Sequence, residues 1–312
     1  MASLRGRFFT SVIKKYFSIN PEVCKDPVAK LQRLNKNSVY GGPKGFNKRV
    51  IPLENAAIEM YECKKNQNKF LVYYLHGGAY IQNLSDLYRL RIRKYSRIAH
   101  NADVALLDYR LAPEYVFPSA LEDALDGWQK LIDEGYLPEN ILVGGDSAGG
   151  NLALAMCLKL KDSGRELPRG LMLFSPWTDM TGSGSSYETN FNLDPMFGGD
   201  SALSGDQIRA FQSFGVYAFC LDADRMSPYV SPVFGDYEGF PPSIITVGSH
   251  ELLYSDSLTV YEKMKKAGVD CSLVVGEGMF HVYALFGKLI PEAEFAMKQV
   301  ADFADKLFSG SL

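Results

Sequence analysis

The chain has 312 residues, of which 46% are hydrophobic and 22% are charged, and its formal net charge is −3. This ordinary composition excludes wholesale disorder and collagen-like repeats. The near balance of 33 basic and 36 acidic residues argues against a nucleic-acid-binding protein, which would carry a basic excess. No apolar run approaches the ~18 residues of a membrane-spanning helix, so we expect no integral membrane segment.

The cysteines are scattered and odd in number, and no two of them have CxxC spacing. They are Cys24, Cys63, Cys157, Cys220 and Cys271. This usage predicts reduced thiols in a cytoplasmic protein rather than a disulfide framework or a zinc site. The chain also lacks an HExxH motif, a Walker A loop and a GxGxxG turn after a strand. We therefore expect neither a metal nor a cofactor.

The first residues have the pattern of an amphipathic helix without acidic side chains. Leu4, Phe8, Val12 and Tyr16 recur every four positions, and no acidic residue precedes Glu22. Such an apolar stripe predicts a helix that packs on its own protein. A transit peptide and a helix on a membrane surface have the same composition, and both alternatives stay open at this point.

From about Lys48 onwards, short continuous apolar runs alternate with helical patterns. Continuous runs are typical of strands that are buried on both faces of a parallel sheet. Strands and helices in alternation predict an α/β fold with right-handed crossovers. The predicted strands cover residues 70–75, 104–107, 141–143, 171–174, 244–247 and 273–275.

One of the intervening helices has a recognisable pattern at each end. The run from Ser119 to Glu122 matches a capping box, so Ser119 is predicted to cap the helix N-terminus. Gly135 stands where a glycine usually follows the last helical turn.

Residues 179–240 break the alternation, because they contain no run typical of a buried strand. Within them, residues 207–221 have a helical and apolar pattern. An insertion of this length in an α/β sheet predicts a lid or a pocket wall. Residues 1–45 share its apolar surplus and are expected to pack beside it.

The strongest motif is Gly-Asp-Ser-Ala-Gly at residues 145–149, which has the form G-x-S-x-G. It directly follows a predicted strand and directly precedes a helical pattern at residues 152–160. A strand, a tight turn and a helix are what a nucleophile elbow requires, and the helix N-terminus favours negative charge. Ser147 is therefore the candidate nucleophile.

A second motif, His-Gly-Gly-Ala-Tyr, follows the first predicted strand at residues 76–80. A glycine pair at a strand end lets backbone N–H groups face a reacting oxygen without interference from a Cβ atom. The N–H groups of Gly77, Gly78 and Ala148 are therefore predicted to form an oxyanion hole. We expect His76 to hold the loop by hydrogen bonds rather than to act as a base.

A serine nucleophile needs a base, and the chain has four histidines, which are His76, His100, His250 and His281. His281 follows the last predicted strand, at the sheet edge where ligands bind in open α/β folds. His100 lies near the end of a helical stretch, where an imidazole is often only a partner of the helix dipole. His281 is therefore the predicted base.

The acid that orients the base is expected in the loop after the strand at residues 244–247, where Glu251 and Asp256 are the candidates. Glu251 comes early enough in the loop to point back across the strand ends. Asp256 lies where the next helix begins, and a helix N-cap is a frequent structural role for aspartate. We prefer Glu251.

Together, these motifs resemble those of the hormone-sensitive-lipase-like family (family IV) of α/β-hydrolases, which are largely microbial carboxylesterases. The resemblance covers the chain from about Val50 to its C-terminus. It implies an α/β-hydrolase fold with about eight strands in a mostly parallel sheet, flanked by helices and covered by a helical cap. The matching segments are HGGAY, DYRLAPE, GDSAGG, SPWTD, Phe117-Pro118, Asp194-Pro195 and Ser231-Pro232.

The resemblance also implies a division of the chain and roles for individual residues. Ser147, His281 and Glu251 stand where the family has its triad, and Asp108 and Arg110 stand in a structural turn rather than a catalytic one. His250 departs from the aspartate that relatives often carry there, and we expect this imidazole to influence the pH dependence. The implied parts are a catalytic core of residues 46–178 and 241–312, N-terminal cap helices in residues 1–45 and a cap insertion of residues 179–240.

Three functions agree with the motifs to different degrees. The first is hydrolysis of small, short-acyl esters by a Ser-His-Glu triad through an acyl-enzyme. The second is an amidase or deacetylase on the same triad, which the sequence does not separate from the first. The third, a non-catalytic ligand receptor on the same fold, is disfavoured because all three triad residues are present. The expected partner is a small ester, and a homodimer through an edge strand or the cap is left open.

Overall fold

The computed structural model describes residues 2–17, 40–198 and 218–310. Its centre is one eight-stranded sheet with the strand order β1-β2-β4-β3-β5-β6-β7-β8, in which β3 to β8 run parallel to one another. The strands are β1 (Phe46–Pro52), β2 (Ala57–Cys63), β3 (Leu71–Leu75), β4 (Asp103–Asp108), β5 (Ile141–Asp146), β6 (Gly170–Phe174), β7 (Ser243–Gly248) and β8 (Cys271–Gly276).

The six parallel strands confirm the six predicted apolar runs. Every residue of β3, β5, β6 and β7 is buried, as expected for strands covered on both faces. The edge strand β8 differs, because its central residues are partly exposed. Burial on both faces therefore holds for the middle of the sheet and not for this edge.

β1 and β2 are absent from the predicted set. They are antiparallel to each other, and β2 is antiparallel to β4. In β2, Ile58 and Met60 are fully buried while Glu59 between them points to the other face of the strand. Glu59 and Glu62 flank the buried Met60 and Tyr61, so β2 contains no continuous apolar run of the kind that predicts the parallel strands.

Helices cover both faces of the sheet. The helices are α1 (Leu4–Phe17), α2 (Asp86–Arg89), α3 (Ile92–Ile98), α4 (Ser119–Asp133), α5 (Ala148–Asp162), α6 (Ser186–Thr189), α7 (Tyr254–Lys266) and α8 (Pro291–Ser309). Alternate residues of β3 belong to different apolar clusters, one packed against α4, α5 and α7 and the other against α3 and α8. Short 3-10 turns cover Pro138–Asn140, Pro232–Phe234 and Tyr283–Leu289.

The capping-box prediction for α4 is wrong. The helix begins at Ser119 itself, its N-cap residue is Pro118, and no side chain caps its N-terminus. Because the chain enters the helix one residue early, the Ser119 hydroxyl lies inside the first turn rather than ahead of it. The other end agrees with the sequence, since Gly135 has a φ of 90° and donates its N–H to the Ile132 carbonyl.

α1 packs on the body of the protein. The Ser3 hydroxyl donates to the Glu292 carboxylate of α8 at 2.9 Å, and the Ile13 side chain is buried. Gly6 lies against the loop that precedes His281, because a Cβ atom on Gly6 would lie 2.7 Å from the Met279 methyl carbon. None of the described helices is both long enough and apolar enough to cross a bilayer.

Residues 179–198 and 218–240 are the described parts of the insertion, and neither part contains a strand. The helix predicted for residues 207–221 lies largely outside the described residues, although residues 218–220 are helical. Residues 18–39 of the predicted N-terminal cap, with Cys24, also lie outside. The other four cysteines are free thiols. The division into core and cap stays a prediction.

Candidate active site

Ser147 lies in the tight turn between β5 and α5 with a φ of 53° and a ψ of −121°, a backbone conformation that costs free energy for any residue with a Cβ atom. Its N–H donates to the Phe174 carbonyl at 2.9 Å, and its carbonyl accepts the Trp177 N–H at 3.0 Å. Neighbouring glycines allow this turn, because a Cβ atom on Gly149 would collide with the Leu75 carbonyl. The predicted nucleophile therefore sits in a strained, well-held elbow.

His281 and Glu251 form a buried pair. The His281 Nδ1 lies 2.8 Å from the Glu251 Oε2, and both side chains are almost inaccessible to solvent. The other carboxylate oxygen accepts the Ser175 hydroxyl at 2.7 Å and the Gly248 N–H. A carboxylate accepts hydrogen bonds only, so the Nδ1 carries the proton of this contact, and in a neutral imidazole the lone pair is then on the Nε2.

The pairing of strands brings Ser147 toward this pair. Asp146 at the end of β5 is opposite Phe174 at the end of β6, so Ser147 and Ser175 leave neighbouring strands at the same edge. The Ser175 hydroxyl oxygen accepts the Val282 N–H at 3.0 Å, which holds the His281 loop over the end of β6. The Ser147 hydroxyl makes no hydrogen bond to any described residue, a frequent state of a nucleophile without substrate.

Asp256, the alternative acid, has different partners. Its Oδ2 accepts the N–H groups of Thr178 at 2.8 Å and Asp179 at 2.9 Å. It lies within the first turn of α7 and does not cap that helix, whose N-cap residue is Leu253. Burial raises the pKa of Asp256 well above its ordinary value. Of the two candidate acids, only Glu251 contacts the predicted base.

In the loop after β3, one of the predicted oxyanion donors already has other hydrogen-bond partners. The Gly77 N–H donates to the Asp146 Oδ1 at 3.1 Å and to the Tyr88 hydroxyl oxygen at 3.0 Å, which argues against its predicted role. The N–H groups of Gly78, Ala79 and Ala148 donate to no acceptor among the described residues. Gly78 and Ala79 have φ values of 113° and 55°, so the backbone turns sharply there.

His76 is buried beside this loop and makes contacts with its backbone and with a neighbouring ring. Its Nδ1–H donates to the Gly77 carbonyl at 2.8 Å, and its ring stacks on Tyr109 with 4.2 Å between the ring centroids. The Tyr109 hydroxyl donates to the His76 carbonyl at 2.7 Å. Burial lowers the pKa of His76 to about 4, so this imidazole is neutral near pH 7.

We expect His76→Asn to change how stability depends on pH. The unfolded chain binds a proton on His76 below about pH 6.5, whereas the folded protein resists that proton down to about pH 4. The contribution of His76 to the free energy of unfolding is therefore complete above about pH 6.5. It falls by about 3 kcal/mol as the pH drops from about 6.5 to about 4.

Urea unfolding of the wild type and His76→Asn at several pH values measures this effect. The stability difference between the two proteins is expected to shrink from pH 7 to pH 4. A difference that stays constant across this range would contradict the assignment of a buried, neutral His76.

The remaining predicted residues lie outside the pair. The Arg110 guanidinium binds the Asp123 carboxylate and Asp108 ends β4, while their role in a structural turn stays a prediction. His100 contacts the exposed Asp305 carboxylate at 2.9 Å. The His250 N–H donates to the Met279 carbonyl, so the His250 backbone joins the loops that follow β7 and β8, while its effect on pH dependence stays a prediction.

Four residues that contact or adjoin the site have no role predicted from the sequence, namely Ser175, Ala79, Asn190 and Asp194. Ser175 and Asp194 lie in segments that carry the family resemblance, but nothing in those segments indicates which group each side chain would meet. The Asn190 side chain donates hydrogen bonds to two carbonyls, which lie 59 and 61 positions further along the chain. Only the folded chain brings such residues together.

Comparison with known proteins is consistent with this geometry. Residues 72–285 match the family model for the alpha/beta hydrolase fold. An esterase of Acinetobacter venetianus is 32% identical over 271 residues, which are 85% of this chain and 84% of that protein. An acetyl-hydrolase of Streptomyces hygroscopicus is 33% identical over 254 residues, which are 81% of each protein.

The chain is also similar to solved structures of esterases. An esterase/lipase from an uncultured bacterium has a TM-score of 0.84 at 28% identity, with 99% of this chain and 100% of that chain covered. An esterase from the bacterial hormone-sensitive lipase family has a TM-score of 0.82 at 27% identity, with 98% and 99% covered. The α/β-hydrolase fold expected from the motifs is thus confirmed. The chain belongs to the hormone-sensitive-lipase-like family of α/β-hydrolases, and it is a carboxylesterase.

Proposed function

We propose that this carboxylesterase works through a triad of Ser147, His281 and Glu251 and forms an acyl-enzyme on Ser147. The observation that carries the proposal is the buried contact of 2.8 Å between His281 and Glu251, at the sheet edge where the strained Ser147 leaves β5. The Nδ1–H bond to Glu251 leaves the Nε2 of His281 free to take a proton, which is the state a general base needs.

In the first half-reaction, the Nε2 of His281 takes the Ser147 hydroxyl proton while the hydroxyl oxygen bonds to the ester carbonyl carbon. The carbonyl electrons move to oxygen and make an oxyanion. When this intermediate collapses, the bond to the alcohol breaks and the alcohol leaves with the proton from His281. Water then gives a proton to His281 and bonds to the acyl carbon, which makes a second oxyanion. When this intermediate collapses, the bond between the acyl carbon and the Ser147 Oγ breaks, the acid leaves, and His281 returns the proton to the Ser147 oxygen.

The oxyanion is proposed to be bound by the N–H groups of Gly78, Ala79 and Ala148. This set differs from the predicted one by one residue, because the Gly77 N–H is occupied by Asp146 and Tyr88. Free N–H groups at the start of α5 and at the turn after β3 supply positive dipoles without any reorganisation. Each donor of this kind contributes about 3 kcal/mol to stabilisation of the transition state.

A short acyl chain is the proposed substrate preference. Tyr80 directly follows Ala79, its ring stacks on Phe219 with 3.8 Å between the centroids, and its hydroxyl is fixed on Asn151. We infer that this rigid aromatic wall, directly after Ala79, limits the space for the acyl chain. The relative from Streptomyces hygroscopicus, an acetyl-hydrolase, agrees with a small acyl group.

For p-nitrophenyl esters, we expect kcat/KM to be highest for acetate to butyrate and to fall by at least about tenfold for octanoate. A chain-length series at saturating and limiting substrate measures this preference. A maximum at octanoate would contradict the proposed wall. A matched p-nitroanilide in the same series separates esterase from amidase activity, because an amine leaves less readily than an alkoxide.

Trapping the intermediate tests the proposed mechanism directly. Acid quenching during turnover of p-nitrophenyl acetate is expected to leave one acetyl group on the peptide that contains Ser147, detectable by mass spectrometry. A serine-directed sulfonyl fluoride is expected to modify the same peptide. The loss of turnover is expected to be proportional to the fraction of protein that carries the modification. Turnover without a labelled Ser147 would overturn the proposal.

A further inference from the structure

The loop that carries Glu251 is held from outside the sheet by Asn190, which lies directly after α6. The Asn190 side-chain amide donates to the Ser249 carbonyl at 2.9 Å and to the Glu251 carbonyl at 2.8 Å. Both acceptors belong to the loop, one of them to the acid itself. Asn190 is buried, and a buried amide group costs free energy unless it is hydrogen-bonded in this way.

Asp194, four residues later, holds the following peptide group of the same loop. Its Oδ2 accepts the Leu252 N–H at 2.8 Å, and its Oδ1 accepts the N–H groups of Met196 and Phe197 at 2.8 and 3.1 Å. The carboxylate therefore joins the acid loop to the described start of the insertion. Asp194 is only 3% exposed, so solvent does not compete for these bonds.

The same segment also reaches the base. The Phe197 ring packs on the His281 imidazole with 4.7 Å between the centroids. Burial raises the pKa of Asp194, and its three backbone N–H donors and the nearby His281 oppose this rise. Residues 190–197 thus contact the acid loop and the base together.

We propose that Asn190 and Asp194 are positioning residues that fix the Glu251 loop, and through Glu251 the orientation of His281. This proposal rests on the proposed triad. Within the loop, the Glu251 N–H donates to the Gly248 carbonyl and the Tyr254 N–H donates to the Glu251 carbonyl, each at 3.2 Å. The N–H groups of Ser249 and His250 donate outward, to the carbonyls of Gly276 and Met279, and therefore do not hold the peptide groups of Glu251 or Leu252. A general base that moves by about 1 Å loses about 100-fold in rate, so the added bonds have a direct kinetic consequence.

The test compares Asn190→Ala, Asn190→Asp and Asp194→Asn with two matched controls. Asn66→Ala removes an asparagine that holds the Phe70 backbone through two hydrogen bonds, away from the site. Asp224→Asn changes an aspartate that accepts the Met226 N–H in a similar turn without contacting the acid loop. In Asp194→Asn, an amide NH₂ group replaces one of the two oxygens that accept backbone N–H groups.

For the three Asn190 and Asp194 variants, we expect kcat for p-nitrophenyl acetate to fall about 10- to 100-fold while KM changes less than about twofold. The controls are expected to keep the wild-type kcat. Each substitution is then repeated in the Glu251→Gln background and measured in single turnover. If Asn190 and Asp194 act through Glu251, they cause no further loss there.

Three results would overturn the inference. The first is a wild-type kcat in the folded variants, and the second is an equal loss in the controls. The third is a loss of kcat in the double variant that equals the product of the two single losses. Such a result would show that Asn190 or Asp194 acts independently of Glu251. Thermal melting identifies a variant that has not folded. If Asn190→Ala is such a variant, the kcat of Asn190→Asp tests the inference in its place. If Glu251→Gln itself keeps full activity, the proposed triad fails rather than the positioning role.

Discussion

Ser147→Ala is expected to lower kcat for p-nitrophenyl acetate by at least about 10⁴-fold. The reason is that removal of the hydroxyl leaves no nucleophile beside the free N–H groups of Gly78 and Ala148, and His281 has no serine proton to take. Only the slow attack of water, assisted by the remaining oxyanion donors, is left. Steady-state assays on protein purified free of host esterases measure the loss.

The control for this variant is Ser163→Ala, which removes an exposed hydroxyl that donates only to the Lys159 carbonyl after α5. It is expected to keep the wild-type kcat. Ser147→Ala is expected to melt close to the wild type, because the Ser147 hydroxyl makes no hydrogen bond to the described residues. Turnover retained after the change at Ser147 would mean that another residue is the nucleophile.

The six parallel strands of the sheet were predictable from the sequence, and the two antiparallel strands at its edge were not. Strands that are covered on both faces need apolar side chains at every position, and this requirement leaves a continuous run in the sequence. β2 carries Glu59 and Glu62 on either side of the buried Met60 and Tyr61, so its apolar run is interrupted. The start of α4 was misplaced because Pro118, which has no capping side chain, occupies the N-cap position.

The candidate site shows a similar division. Ser147 and His281 follow strands with clear patterns, and the order of strands then brings them to one edge. The choice of donors within the loop after β3 depends on Asp146, whose carboxylate takes the Gly77 N–H. That contact spans 69 positions in the chain, and no local pattern encodes it. Asn190 and Asp194 were missed for the same reason.

Glu251→Gln is expected to lower kcat by about 10⁴-fold, because it reverses the hydrogen bond that sets the His281 tautomer. The Ser175 hydroxyl and the Gly248 N–H both donate to the Glu251 Oε1, so the amide oxygen of glutamine must take that place. The NH₂ group then faces the His281 Nδ1 and donates to it. The proton moves to the Nε2, which no longer accepts the proton of Ser147.

Asp256→Asn is the comparison that decides between the two candidate acids. Asp256 binds the N–H groups of Thr178 and Asp179 and not the imidazole, so this change is expected to alter the melting temperature while kcat stays within a few-fold of the wild type. Measuring kcat and thermal melting for both variants separates the roles. If Asp256→Asn lost the activity and Glu251→Gln kept it, the orienting acid would be Asp256, and the buried contact between Glu251 and His281 would be structural only.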